Sequence, residues 1–221
     1  MKENVLRISE SPVLLRDQAF ERLRDAIIAG HFTPGARLIE RELCEAMGVS
    51  RTSIREVLRR LEAEALVEVE PRRGPTVARL TRKQVSEIYE VRALLESAAV
   101  RRFTEKAGDG DIAKLRDICE ALQVGRQAKD VPTIVQLTNA FMDHVFGVVG
   151  NELMLDMHNK LLARISLLRG VAIAFPGRLE ESAIELGSVM AAISARDPLA
   201  ASERFSRYVL NAGQAALTRF E

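Results

Sequence analysis

The chain of 221 residues has no tryptophan, and aromatic residues make up only 5% of it. With so few bulky anchors, a core has to close through Leu, Ala, Val and Ile, which suits helices packed on one another. Cysteine is almost as scarce. Cys44 and Cys119 have no Cys or His beside them at metal-ligand spacing and read as ordinary buried thiols of a reducing compartment. No apolar run approaches the roughly 18 to 20 residues that cross a bilayer, and the opening MKENVLRISE lacks the apolar stretch of a signal peptide. The expectation is a cytoplasmic protein with no membrane partner. There is no internal repeat and no low-complexity segment. No nucleophile, metal cluster or phosphate-cradling loop stands at a recognisable spacing, which argues against an enzyme and against a bound cofactor.

What is present is arginine, in one place. Net charge is only +1, and residues 1–75 carry thirteen Lys and Arg against thirteen Asp and Glu, so local placement has to carry any electrostatic argument. In GVSRTSIREVLRRL, Gly48 to Leu61, four arginines fall within ten residues. Ser50 is placed to cap a helix from Arg51 to about Ala65. Ile54, Val57, Leu58 and Leu61 form its apolar stripe, while Arg51, Arg55 and Arg59 step by four along another side. Upstream, apolar spacing predicts a helix over Leu15 to Ala29, ended by GHFTPGARL, and a short helix over Glu40 to Met47. Downstream, LVEVE and TVARL alternate around the turn PRRGP, which reads as a two-stranded hairpin.

The whole is an N-terminal winged helix-turn-helix (α/β) over residues 12–78. Thr81 is a plausible cap for a helix from about Arg82 to Lys106. Further helices are predicted at about 111–127, 132–149, 152–169, 178–195 and 199–220. Residues 81–221 are therefore expected to form an all-α antiparallel helical bundle.

A helix fits the major groove of B-DNA, where guanine offers two acceptors that match the guanidinium fork. Arg51 and Arg55, near the start of the third helix, stand where a recognition helix presents base-reading side chains. Thr52 and Ser53 add hydroxyls, and the helix N-terminus adds partial positive charge toward phosphate. Arg60, with Glu56 and Glu64 four residues to either side, reads instead as a solvated face, and Arg59 as packing or a phosphate contact. Arg72 and Arg73 flank Gly74 at the wing tip, where glycine permits a close approach to nucleic acid. Arg41 either reaches DNA from the second helix or pairs with Glu45.

The run PGARLIERELCEAMGVSRTSIREVLRRLEAEALVEVEPRRGPTV resembles the DNA-binding domain of GntR-type bacterial transcription regulators. The resemblance implies that Arg41, Arg51 and Arg55 contact operator DNA and that Gly74 is the wing glycine entering the minor groove. Ala65 departs from the pattern, standing where the family usually has Gly. The remainder resembles the helical effector domain of the FadR/FCD branch, through EIYEVRALLESAAV, VVGNELM and VMAAISARDPLAASERF.

In that branch a small carboxylate or other metabolite is bound, often with a divalent metal held by one Asp and three His. Here those positions fall on Thr138, Met142, Leu186 and Tyr208, which cannot reproduce such a site, so no metal is expected. His31, His144 and His158 are scattered and read as structural or surface residues. A shifted site using Asp143 and His144 is disfavoured, because adjacent helix residues diverge by about 100 degrees. A pocket lined by those four replacements should take an organic acid or a more apolar metabolite. Arg92 and Arg164 are the candidate cationic anchors, with Arg92 equally placed for an ion pair with Glu96. The resulting expectation is a homodimeric, ligand-responsive regulator, most simply a repressor, on a palindromic double-stranded operator; the alternative is a constitutive DNA-binding dimer whose helical domain senses no ligand.

Overall fold

A computed structural model describes residues 12–28, 31–70, 74–173 and 175–218. The chain divides into two compact units, one up to Arg79 and one from Leu80 onward.

The first unit runs α1 (Pro12–Ile28), α2 (Glu40–Met47), α3 (Arg51–Ala63), β1 (Val67–Glu70) and β2 (Gly74–Val77). Ala19, Phe20, Leu23 and Ile27 share one stripe of α1 and are buried with Ile54, Val57, Leu58 and Leu61 of α3, as the spacing requires. Gly48 ends α2 in the left-handed region at φ +65°. Two residues later the Ser50 hydroxyl accepts the Ser53 amide at 3.2 Å and starts α3.

Ion pairs link α1 to α3: Arg16 to Glu56 at 2.6 Å, Arg24 to Glu64 at 3.0 Å and Asp17 to Arg60 at 2.6 Å. The Arg60 guanidinium also lies 3.8 Å from the Phe20 ring centre. This corrects the expectation that Arg60 pairs along its own helix with Glu56 and Glu64: both carboxylates turn to arginines of α1 instead.

β1 and β2 are antiparallel, with Val67 opposite Val77 and Glu70 opposite Gly74. The sequence pattern of GHFTPGARL signals only the end of a helix, but after a turn at Gly35 residues 36–38 run beside β2, Arg37 opposite Thr76. The Gly35 amide donates to Val77 O at 2.8 Å and the Leu38 amide to Pro75 O at 2.9 Å, so part of the edge of the hairpin is covered.

The second unit holds α4 (Arg82–Lys106), α5 (Asp109–Ala128), α6 (Val131–Val149), α7 (Glu152–Ile173), α8 (Arg178–Ser194) and α9 (Pro198–Leu217). Thr81 and Gln84 form a reciprocal capping box at the start of α4. α9 packs along α4, closely enough at Gly213 that a Cβ there would lie 2.8 Å from the Tyr89 ring. Phe103, Phe141, Phe146 and Phe205 fill the centre, Phe141 and Phe205 stacking at 6.2 Å. α7 continues four residues beyond Arg169, where the sequence pattern ends it, and so carries Arg169 on a buried face. No helix among the described residues is long and apolar enough to cross a membrane.

The end of α3 carries a Schellman motif: Leu66 N–H donates to Leu61 O at 2.9 Å and Ala65 N–H to Glu62 O at 2.8 Å. That geometry puts Ala65 at φ +52°, in the region that glycine occupies without a steric penalty. Ala65→Gly is accordingly expected to raise the unfolding free energy by about 1 kcal/mol, read from the midpoint of urea unfolding.

Candidate nucleic-acid interface and a buried arginine cluster

Because one face of α3 is consumed by packing on α1, its other face has to be turned outward. Arg51, Thr52, Arg55 and Arg59 are all exposed on it. Ser53 is half-buried and committed to the cap, its hydroxyl 3.0 Å from that of Ser50. Arg55 finds its partner outside its own helix. Its Nε lies 3.0 and 3.1 Å from the two carboxylate oxygens of Glu40 at the start of α2, and that pairing raises its already high pKa.

Arg41 makes no ion pair with Glu45 or with any other described residue, and neither does Arg51. Together with Arg37 they line an open recess of about 400 Å³ floored by Pro75. Arg37 was not singled out from the sequence. Its signal was its place in PGARL, directly before α2, which acquires meaning only once residues 36–38 are seen to run beside β2. Gly74 begins β2 at φ +78°, with the Arg37 guanidinium 3.9 Å from where a side chain would start. Arg72 and Arg73 lie outside the described residues.

In the second unit, side chains from α4, α6, α7, α8 and α9 converge on a buried polar cluster. Arg92 donates to Glu96 at 3.0 and 3.4 Å, one turn along α4, and both are almost wholly excluded from solvent. Arg169 on α7 approaches the same carboxylate at 3.6 Å and donates to Asn139 Oδ1 on α6. Asn139 Nδ2 donates to Ser166 at 3.0 Å. His158 is also buried, its Nε2 3.5 Å from Glu96 and its ring tilted against Phe146. Burial alone would push the Glu96 carboxyl up, but the Arg92 charge, the adjacent His158 and Arg169 outweigh it and hold it well below the usual carboxylate range. For Arg169 the balance runs the other way: burial and then repulsion from Arg92 lower its pKa in spite of Glu96.

Beside this cluster lies a cavity of about 20 Å³, room for one water-sized group. Arg92, Arg169, Arg178, Thr138 and Tyr208 line it, with apolar wall from α6, α7 and α9. Of the effector-pocket candidates, then, Arg92, Thr138 and Tyr208 are brought together. Met142 is fully buried in the core, Leu186 borders a separate open groove between α5 and α8, and Arg164 does not line the cavity. Arg169 and Arg178 are the residues that sequence reasoning missed. Arg178, where the sequence pattern merely begins a helix, is buried and paired with Glu185 and Glu181.

Three guanidiniums thus share the cavity with the apolar side chains of Ile134, Ala172, Ile173 and Ala212. Among the described residues no group of three His, Cys, Asp or Glu is arranged to hold a metal ion. Thr138 donates to its own helix at Ile134 O, 2.7 Å away, and His144 lies 3.0 Å from Asp111 O; neither stands in a ligand set.

An outward arginine-bearing helix behind a wing, joined to an all-helical unit, matches two family descriptions: bacterial regulatory proteins of the gntR family over residues 15–77 and the FCD domain over residues 87–211. The chain belongs to the GntR family of DNA-binding transcription regulators, in its FCD-domain branch. It is 29% identical over 189 residues to the HTH-type transcriptional regulator McbR of Escherichia coli, spanning 84% of this chain and 85% of that protein. It is 31% identical over 150 residues to the HTH-type transcriptional regulator YdhC of Bacillus subtilis, an alignment covering 67% of this chain and 63% of YdhC. The solved structure of E. coli McbR/YncC superposes with a TM-score of 0.81 at 25% identity, covering 97% of this chain and all of that one. Both curated relatives are named as transcription regulators.

Removing the carboxylate from the cluster would leave Arg92 and Arg169 facing each other without a counter-charge. Glu96→Gln is expected to cost about 3–5 kcal/mol of stability at neutral pH. Since the folded carboxyl is held below its ordinary value, its contribution is complete above about pH 4 to 5 and is lost as pH falls toward the folded value. Urea unfolding of both proteins at neutral pH and near pH 3 should therefore show the gap between them narrowing in acid.

Proposed function

We propose that two copies of the chain bind a palindromic operator, each laying α3 in the major groove of one half-site, and that a small molecule bound in the helical unit shifts the balance between DNA-competent and DNA-incompetent states. The observation that carries the DNA reading is the pair Arg51 and Arg55, exposed on a helix whose opposite face is buried. Arg55, already held by its Nε, is the candidate reader of a base edge, and Thr52 is beside it. Arg37, Arg41 and Arg51, without carboxylate partners among the described residues, are candidates for phosphate. Gly74, with Arg72 and Arg73, is the candidate wing contact. Repression is the simplest outcome, since a dimer seated on a promoter obstructs transcription without further machinery.

Selection of bound sequences from random duplex DNA at a stated near-physiological salt concentration tests this reading. An enriched palindrome with half-sites about one helical turn apart, or a multiple of it, is the expected result. Binding that fades smoothly with salt and shows no preference would overturn it. On the selected site, Arg55→Ala should reduce discrimination at one base pair on the order of ten- to a hundred-fold. Arg41→Ala should instead weaken all sequences alike and lower the salt slope by about one.

A further inference from the structure

Glu40 is out of place by charge. It lines the same open recess as Arg37, Arg41 and Arg51, on the side of the unit that is to meet a polyanion, and is the one acid among the described residues that line it. A carboxylate there repels phosphate at every sequence alike and so weakens general affinity. Folding stability does not account for it. The ion pair it forms with Arg55 is open to solvent, with 60% of the arginine side chain and 29% of the glutamate side chain exposed, and pairs of that kind contribute little. As a first-turn acid of α2 it complements the helix dipole, but Glu42 on the same turn does so too, and that task needs no contact with Arg55.

The contact itself is particular. Both carboxylate oxygens of Glu40 accept from one donor, Arg55 Nε, at 3.0 and 3.1 Å, and neither Nη group of Arg55 has an acceptor among the described residues. The guanidinium is thus held by its Nε, while the fork of Nη1 and Nη2 keeps all its N–H donors. Presented end-on, such a fork matches O6 and N7 of guanine. An arginine without an anchor samples many rotamers, has to be ordered on binding, and can settle on the nearest phosphate, where it carries no sequence information.

Resting on the DNA reading proposed above, with Arg55 as the reader of a base edge, we infer that Glu40 is a positioning residue for operator specificity. It holds Arg55 by Nε so that the Nη fork meets a guanine instead of a phosphate, and in doing so exchanges general affinity for discrimination.

The test is competition binding of the full chain to the duplex selected by the parent, to its single-base-pair variants and to random duplex of equal length, at several salt concentrations. In Glu40→Gln, discrimination at the G·C pair that Arg55→Ala relaxes should fall on the order of ten-fold. Affinity for random duplex should hold or rise, with a salt slope steeper by up to about one, as Arg55 becomes free to meet phosphate. The double variant Glu40→Gln/Arg55→Ala should discriminate at that pair no worse than Arg55→Ala, because an anchor without its arginine has nothing to position. The urea midpoint of Glu40→Gln should stay near that of the parent.

Undiminished discrimination in Glu40→Gln overturns the inference. So does an equal loss of affinity on selected and random duplex, which would make Glu40 structural. A change of preference that persists in the Arg55→Ala background overturns it as well, since Glu40 would then read a base in its own right, and so does an A·T pair at the position that Arg55→Ala relaxes. The two readings fail separately. With no sequence enriched by the parent, the DNA reading falls and takes this inference with it; an enriched palindrome whose discrimination survives Glu40→Gln overturns this inference alone.

Discussion

A single carboxylate, Glu96, organises the interior of the helical unit. It is fully buried, and a charge in that position survives only if groups around it repay the lost hydration. Arg92 does so from one turn away on the same helix, which fixes the two rotamers together; Arg169 and His158 do so from α7, which ties the packing of α7 to α4. Asn139 and Ser166 extend the network to α6. Helices that could otherwise slide over a core of Leu, Val, Ile and Phe are thereby held in one register, because a shift of one residue would strand several buried polar groups at once.

The N-terminal unit solves a different problem, that of giving one helix two incompatible faces. α3 needs an apolar stripe to belong to a fold and a cationic stripe to be of use outside it. Spacing by three and four residues for the first and by four for the second allows both on thirteen residues. The extended segment before α2 then sets Arg37 beside Arg51 of the cationic stripe without adding core.

The repeating elements were the legible part. Helical periodicity, the Ser50 and Thr81 caps and the breaks at glycine and proline fix most helix boundaries to within a few residues, and α2 and α4 as observed, because these signals are local. Arg51 and Arg55 were legible for the same reason. What periodicity does not encode is which residues meet across helices. Arg60 pairing with Asp17, and Arg55 with Glu40, each override a plausible reading from neighbours along the chain. Arg169 escaped notice because α7 was ended at it, and Arg178 because a helix-starting arginine ordinarily points to water. Both lie in a pocket assembled from segments that are tens of residues apart. The absence of histidine and acid at the positions of a family metal site was visible in the sequence, as was Arg92; that Arg169 and Arg178 join it was not.

The α1–α3 ion pairs have one more effect. Glu56 and Glu64 are both drawn to arginines of α1, and Glu40 is occupied by Arg55. Arg37, Arg41, Arg51 and Arg59 are left without acidic partners among the described residues. A unit with near-zero net charge is therefore electrically polarised, and a polyanion approaching it experiences a torque before it experiences attraction. Bulk properties such as isoelectric point or retention on an ion exchanger average this asymmetry away. Within about a Debye length of the surface, local asymmetry of this kind counts for more than a near-zero net charge.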